Sequence, residues 1–121
     1  MEARIASWNI ESRGSDYETG ERGTATHILQ GIQQLNADIL VLPDAFAGKA
    51  APVFDAGMRE QGYRWHNVLY GDEARDWTLS HTGVESGMRV ATRWEIVDVE
   101  EARWGMSRRR MIVMMVRDPA S

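Results

Sequence analysis

The sequence contains no cysteine, a single lysine and no long apolar run. Without cysteine the chain has no disulfide framework, no thiolate zinc site and no cysteine nucleophile, and a reducing compartment is the simplest one to expect. No stretch approaches the roughly 18 apolar residues that a membrane span requires, and the first residues carry no export signal. We therefore predict a cytoplasmic protein without a membrane span, in which any metal binds to oxygen or imidazole.

The charge balance of the chain is acidic, because 18 Asp and Glu residues face 14 Lys and Arg residues and leave a net charge of -4. This balance argues against a protein that coats nucleic acid through charge alone. Thirteen of the basic residues are arginine. Arginine suits two-pronged recognition of phosphate or carboxylate, although a coding bias towards Arg is the simpler explanation. A length of 121 residues with 43% hydrophobic side chains predicts one globular domain with one modest core.

The first half of the chain has the pattern of a strand, a helix and a second strand. Residues 4–10 are rich in β-compatible side chains, and residues 24–36 carry apolar side chains at helical spacing. The unbroken apolar run at residues 39–42, which Pro43 ends, is typical of a strand covered on both faces. A right-handed crossover would make the two strands parallel, with the helix packed on their sheet.

The second half of the chain has a mainly β pattern. A shorter helix is expected around residues 53–58, ending near Gly62, and a polar loop over residues 71–83. Further strands are expected at residues 65–70, 88–92, 96–99 and 110–116. The whole pattern predicts an α/β fold, a mixed β-sheet with flanking helices.

Two polar residues stand at the ends of the first two predicted strands. Asn9 closes the first strand and Asp44 follows the second, so in a parallel pair both side chains would emerge at the same carboxyl edge of the sheet. An amide oxygen beside a carboxylate suits a hard divalent ion such as Mg²⁺. Because Asn and Asp also favour turns, a turn-forming role is the alternative for both residues.

Four short motifs occur in one order along the chain: Trp8-Asn9, Leu42-Pro43-Asp44, Gly62-Tyr63, and the segment from Gly87 to Trp94. Taken together they resemble the endonuclease/exonuclease/phosphatase family. In that family the second strand ends in Leu-Gln-Glu, and the glutamate holds the metal. Here Pro43-Asp44 stands in that place, so the carboxylate is one methylene shorter and the neighbouring amide is lost.

The resemblance implies metal-dependent hydrolysis of a phosphoester. Asp44 would hold Mg²⁺ or Mn²⁺, and Asn9 would orient the metal-bound water or a phosphate oxygen. Nucleic acid is one of the substrate classes of the family. The resemblance also implies that residues 1–121 form the amino-terminal half of a four-layered α/β sandwich, because the family's later Asp-x-Asn and Asp-His motifs have no counterpart before Ser121. Half a sandwich leaves an apolar sheet face uncovered, so we expect a homo-oligomer or a complementing second half.

Two more residues are site candidates under this resemblance. His81 lies in the polar loop that would reach over the active edge and is a candidate catalytic residue, although a lone histidine is more often a hydrogen-bonded surface group. Arg93 follows the Gly87 strand and is a candidate for substrate binding. Tryptophan could stack on a base or sugar at Trp65, Trp77, Trp94 and Trp104, although core and interface filling is its commoner role. The alternative function is a noncatalytic half-domain that serves as an oligomerisation or interaction module.

Overall fold

The fold is seen in a computed structural model that describes residues 2–10, 24–43, 51–69, 87–103 and 110–120. This part of the chain forms two helices and six strands. In chain order they are β1 (Ile5–Ser7), α1 (Thr24–Leu35), β2 (Ile39–Leu42), α2 (Ala51–Glu60), β3 (Arg64–Leu69), β4 (Gly87–Thr92), β5 (Glu95–Arg103) and β6 (Arg110–Arg117). The predicted α/β class is confirmed. Neither helix in the described ranges is long and apolar enough to cross a membrane.

Four strands form one mixed sheet in the order β1-β2-β4-β3. β1 and β2 are parallel, as the strand-helix-strand pattern predicts, with Ile5 opposite Ile39 and Ser7 opposite Val41. β4 runs antiparallel to both of its neighbours, β2 and β3. β5 and β6 form a separate antiparallel pair, which we call the ribbon.

Both helices contribute side chains to a core on one face of the four-stranded sheet. Side chains alternate between the faces of a strand, so Leu40 and Leu42 are fully buried beside the helices, whereas Ile39 and Val41 on the other face are only half-buried. The core cluster consists of Ile10, Ala25, Ile28, Ile32, Ala37, Leu40, Leu42, Phe54, Met58, Tyr63 and Ala91. On the helix-free face, Ile5 of β1 is 65% exposed, whereas Val68 of β3 and Val90 of β4 are buried.

The two helices end in left-handed backbone conformations close to each other. α1 ends before Asn36, whose φ is 47°, and α2 ends before Gly62, whose φ is 89°. Glycine adopts this conformation without steric cost, which explains the helix end predicted near Gly62. The Tyr63 hydroxyl then donates a 2.6 Å hydrogen bond to the Ala37 carbonyl, which joins the segments that follow the two helices.

The ribbon is longer than its apolar pattern predicts. β5 extends to Arg103 because Glu100 and Glu101 pair with Val113 and Ile112 of β6. The register of the two strands is irregular near the start of β5. Three apolar side chains of β6 form an exposed row, Met111 at 44%, Val113 at 62% and Met115 at 59%. A contact with the larger sheet is the 2.7 Å pair between His66 Nε2 of β3 and Glu101 Oε1.

Candidate functional site

The carboxyl ends of β1 and β2 meet at one edge of the sheet. The Trp8 amide donates a 3.0 Å hydrogen bond to the Val41 carbonyl, which extends the parallel pairing one residue beyond β1. Asn9 comes next, and its side chain is exposed. Ser7 is opposite Val41 in the parallel pair. Asn9 lies two residues after Ser7, and Pro43 lies two residues after Val41. Asn9 and Pro43 therefore lie at the same edge.

The residues on both sides of Asn9 fix its backbone. Ile10 is buried in the core, and the Trp8 ring packs against α1 at Gly31, where a Cβ atom would lie 2.7 Å from the ring. Such a distance is too short for a real contact, so the ring fits only because this helix position carries no side chain. Asn9 is therefore an exposed amide held between two anchored hydrophobic side chains.

Two other predicted site residues, Asp44 and His81, lie outside the described residues. Within the described ranges, no group of three or more His, Asp or Glu side chains is placed to hold a metal ion. The Asn9 amide oxygen is a hard donor of the kind that Mg²⁺ and Mn²⁺ accept, so its chemistry fits a metal of this class. A complete ligand set would also need carboxylates, and Asp44 is the one that the sequence offers directly after Pro43.

Arg93 lies at the other end of the strands. Its amide donates to the Asp38 carbonyl at 3.0 Å, next to the first residue of β2. Its guanidinium donates to Asn36 Oδ1 at 2.6 Å and to the Gln61 carbonyl at 3.3 Å, and lies 4.8 Å from the centre of the Tyr63 ring. The structure does not bring Arg93 to Asn9. Arg93 instead joins the ends of α1 and α2, and its predicted contact with substrate stays a prediction.

Arg89 is a residue that the sequence analysis missed. It lies on β4 opposite Leu42, the last residue of β2, and so is near the same edge as Asn9. Only 2% of Arg89 is exposed. The side chain contacts three polar or sulfur atoms: Nη1 lies 2.8 Å from Asp55 Oδ1, Nε donates to Asn67 Oδ1 at 2.9 Å, and Nη1 contacts Met58 Sδ at 3.4 Å.

Burial lowers the pKa of Arg89, and the carboxylate of Asp55 acts in the opposite direction. A guanidinium starts from so high a pKa that it remains charged at any ordinary pH. The Trp65 ring, whose centre is 4.3 Å from the guanidinium carbon, completes the surroundings of this buried cation. The charged side chain of Arg89, on β4, therefore links this strand to α2 and β3.

The sequence does contain a signal for the ion pair between Arg89 and Asp55. In β4, alternation places Arg89 on the same face as the buried Ala91, and in α2 Asp55 lies between the buried Phe54 and Met58. Two opposite charges at positions that the apolar pattern assigns to the core predict a buried ion pair, because an unpaired charge there would be too costly.

Comparison of the chain with protein-family models, with curated proteins and with solved structures finds no match.

Proposed function

We propose that the chain supplies the metal-binding strand pair of a Mg²⁺- or Mn²⁺-dependent phosphoester hydrolase of the endonuclease/exonuclease/phosphatase type. The observation that carries the proposal is the parallel pairing of β1 with β2, continued by the Trp8 hydrogen bond to Val41. It gives Asn9 and Pro43 a common edge, and Asp44 follows Pro43 directly in the sequence.

In this proposal Asp44 holds the metal through its carboxylate and Asn9 contributes its amide oxygen. Such an ion, when held by these residues, would supply Lewis-acid polarisation of the phosphoryl group and would favour ionisation of water. The exposed Asn9 side chain, on a backbone held by Trp8 and Ile10, would orient a water or a phosphate oxygen. We also propose His81, which follows β3 in the sequence, as a proton donor or acceptor.

We also propose that the chain assembles with a partner. The mixed sheet and its two helices form half of a four-layered sandwich, and a second copy or a complementing chain covers the helix-free face. Val68 and Val90 on that face are already buried within the chain, so the 65% exposure of Ile5 supports a partner surface at the β1 end of the face. A phosphoester, with nucleic acid among the candidates, is the proposed substrate, and the cytoplasm is the proposed location.

A phosphodiesterase assay tests the catalytic part of the proposal. The wild-type chain should hydrolyse a chromogenic phosphodiester with Mn²⁺, and Asp44→Ala should lower the rate by about 100-fold, with about tenfold for Asn9→Ala. Asp98→Ala, at an exposed position of the ribbon, is the matched control and should leave the rate unchanged. Equal rates for Asp44→Ala and Asp98→Ala would remove Asp44 from the proposed site.

Metal binding gives a second measurement that does not depend on turnover. The paramagnetic resonance signal of free Mn²⁺ falls when the ion binds to protein, so titration of the wild type should show one bound ion. Asp44→Ala should lose it and Asp98→Ala should keep it. An identical titration for all three proteins would contradict the proposal even if the chain alone has no activity.

A noncatalytic interaction module is the second candidate function. The observation that favours it is the exposed row formed by Met111, Val113 and Met115 on β6, since long apolar edge strands are templates for pairing. Light scattering should then give a dimer or larger species, and Val113→Lys should give a monomer. A wild-type monomer at every accessible concentration would contradict this function.

A further inference from the structure

The two faces of the ribbon differ in exposure. The half-buried apolar side chains of β6 are Ile112, Met114 and Val116. The side chains that alternate with them form the exposed row of Met111, Val113 and Met115. Glu101 is opposite Ile112 and contacts His66 of β3, so the half-buried face is the one that turns towards the four-stranded sheet. The exposed row therefore lies on the outward face of the ribbon.

Two acidic side chains lie beside this row on the same face. Asp98 of β5 is opposite Met115, and Glu100 is opposite Val113. Opposite residues of an antiparallel pair have side chains on the same face, about 5 Å apart at Cβ. Both carboxylates are exposed. The outward face thus carries an apolar row on β6 and, next to it, two negative charges on β5.

The two outward acids differ from the other acids of β5 in their partners. Glu95 pairs with Arg117, which is opposite it on β6, at 3.2 Å, and Glu101 pairs with His66. Within the described ranges, Asp98 and Glu100 have no cation at ion-pair distance, because the β6 residues opposite them are apolar. A partner that covers the apolar row also removes water from these carboxylates, so it must supply cations to them.

The dimensions of the outward face suit an α-helix. Met111 and Met115 are four strand residues apart, about 14 Å, a length that a helix covers in about nine residues. Asp98 and Glu100 are two residues apart, about 7 Å, close to the rise of about 6 Å between positions i and i+4 of a helix. Methionine side chains adapt to a range of apolar partners. An amphipathic helix with Lys or Arg beside its apolar stripe therefore matches both rows.

We propose that the outward face of the ribbon binds a basic amphipathic helix of a partner protein. The apolar stripe of that helix covers the exposed row, and its basic residues pair with Asp98 and Glu100. A second copy of this chain matches less well, because it brings a net charge of -4 and the same two carboxylates. This surface is independent of the proposed metal site, and a partner helix is a different occupant from the second copy of the interaction-module alternative.

Fluorescence anisotropy with a synthetic peptide tests the binding. The probe is a fluorescein-labelled peptide of about 14 residues, with leucine at helical spacing on one side, lysine on the adjacent side and alanine elsewhere. The wild type should bind it at least about tenfold more tightly than a peptide with glutamate in place of lysine, or one of the same composition in scrambled order. Equal affinity for either comparison peptide would overturn the proposal, and so would the absence of binding at millimolar peptide.

A variant of the exposed row locates the binding. Val113→Lys should weaken peptide binding by more than about tenfold, because it removes an apolar contact and sets a positive charge against a basic helix. Val53→Lys is the matched control at a 45% exposed position of α2, and it should stay within about twofold of the wild type. Equal weakening by the two variants would overturn the assignment to the ribbon.

Charge variants of the outward face have effects of opposite sign. Glu100→Gln and Asp98→Ala should each weaken peptide binding by about threefold, as for an exposed ion pair. Arg117→Gln should tighten it by about twofold, because it releases Glu95 to the basic side of the peptide. Weaker binding by Arg117→Gln would overturn the acidic contact. Asp98→Ala should keep the Mn²⁺ titration of the wild type, so failure of the peptide surface and failure of the metal site are distinguishable.

Light scattering separates a partner helix from a second copy. The complex should have the mass of one chain and one peptide. A wild-type dimer that Val113→Lys dissociates and that excludes the peptide would assign the exposed row to a second copy and overturn the proposal.

Discussion

The four-stranded sheet and the ribbon each contain a strongly apolar strand, β2 and β6, but only the strand of the sheet is part of a core. Every buried hydrophobic side chain of the described ranges lies between Ile10 and Ala91, and none occurs on the ribbon. α1 and α2 cover one face of the sheet, and Val68 and Val90 are buried on the opposite face, whereas the row of Met111, Val113 and Met115 has no covering layer among the described residues. An apolar strand thus contributes to stability only where a second layer removes it from water.

The same substitution in each region tests this difference most directly. Met58→Ala in α2 should lower the free energy of unfolding by about 3 kcal/mol, because it opens a cavity in a fully buried position. Met115→Ala on the ribbon should change it by less than about 0.5 kcal/mol in dilute solution. Urea denaturation followed by tryptophan fluorescence measures both. Similar losses for the two variants would mean that the ribbon face is covered in solution.

The buried ion pair gives the next largest expected effect. Arg89→Met should cost about 3 kcal/mol, since it leaves Asp55 in a mostly buried position without its cation. Removing both charges in Arg89→Met/Asp55→Ala should recover at least about 1 kcal/mol relative to the sum of the two single variants. Denaturation of the four proteins forms a double-mutant cycle. Strict additivity would show that the pair is not coupled.

A helix glycine connects the core to the candidate edge. Gly31→Ala should lower the free energy of unfolding by about 1 to 2 kcal/mol, because the new Cβ displaces the Trp8 ring and outweighs the gain in helix propensity. Gly57→Ala in α2 gives the comparison with a flexible neighbour: its Cβ would lie 2.4 Å from Leu29 Cδ1 and 3.1 Å from Leu29 Cγ, a closer approach, but a leucine side chain can rotate where the Trp8 ring is rigid. Thermal denaturation compares them. A Gly31→Ala protein more stable than the wild type would contradict the close packing of Trp8.

The smallest effect concerns Tyr63 and pH. Burial raises the pKa of Tyr63 above its ordinary value of 10.0, against an opposing effect of Arg93. The native protein therefore keeps the phenol proton where the unfolded chain loses it, so this contribution to stability is complete below pH 10 and declines as pH rises towards the native pKa. Tyr63→Phe should cost about 1 kcal/mol near neutral pH, through the lost bond to Ala37.

Denaturation across the alkaline range checks the sign. The stability of the wild type should fall more steeply than that of Tyr63→Phe as pH rises above about 10. Parallel profiles for the two proteins would contradict a raised pKa.

Local pattern was sufficient to predict the elements themselves. The unbroken apolar run predicts β2, and the helical spacing of apolar residues predicts α1. Both patterns are local because the buried positions of a strand or a helix recur at the period of that element. β5 was predicted too short because its acidic residues break the apolar pattern. Cross-strand pairing with β6 keeps Glu100 and Glu101 in the strand, and a local pattern does not contain that information.

The arrangement of the elements was harder to predict. The parallel β1 and β2 pair followed from the strand-helix-strand order, and the common edge of Asn9 and Pro43 followed from that pair. The placement of Arg93 at the opposite end depends on the antiparallel register of β4, which is set by contacts between residues far apart in the chain. Arg89 was missed because its partners lie on α2 and β3.

The central position of β4 has a consequence for the order of folding. β4 is hydrogen-bonded to both β2 and β3, although it comes after both in the chain. During synthesis the sheet cannot close until Thr92 has left the ribosome, so β2 and β3 wait with open edges while the first half of the chain is already outside. Such a nascent intermediate exposes pairing surfaces, and a chaperone that shields extended apolar segments would speed its correct closure.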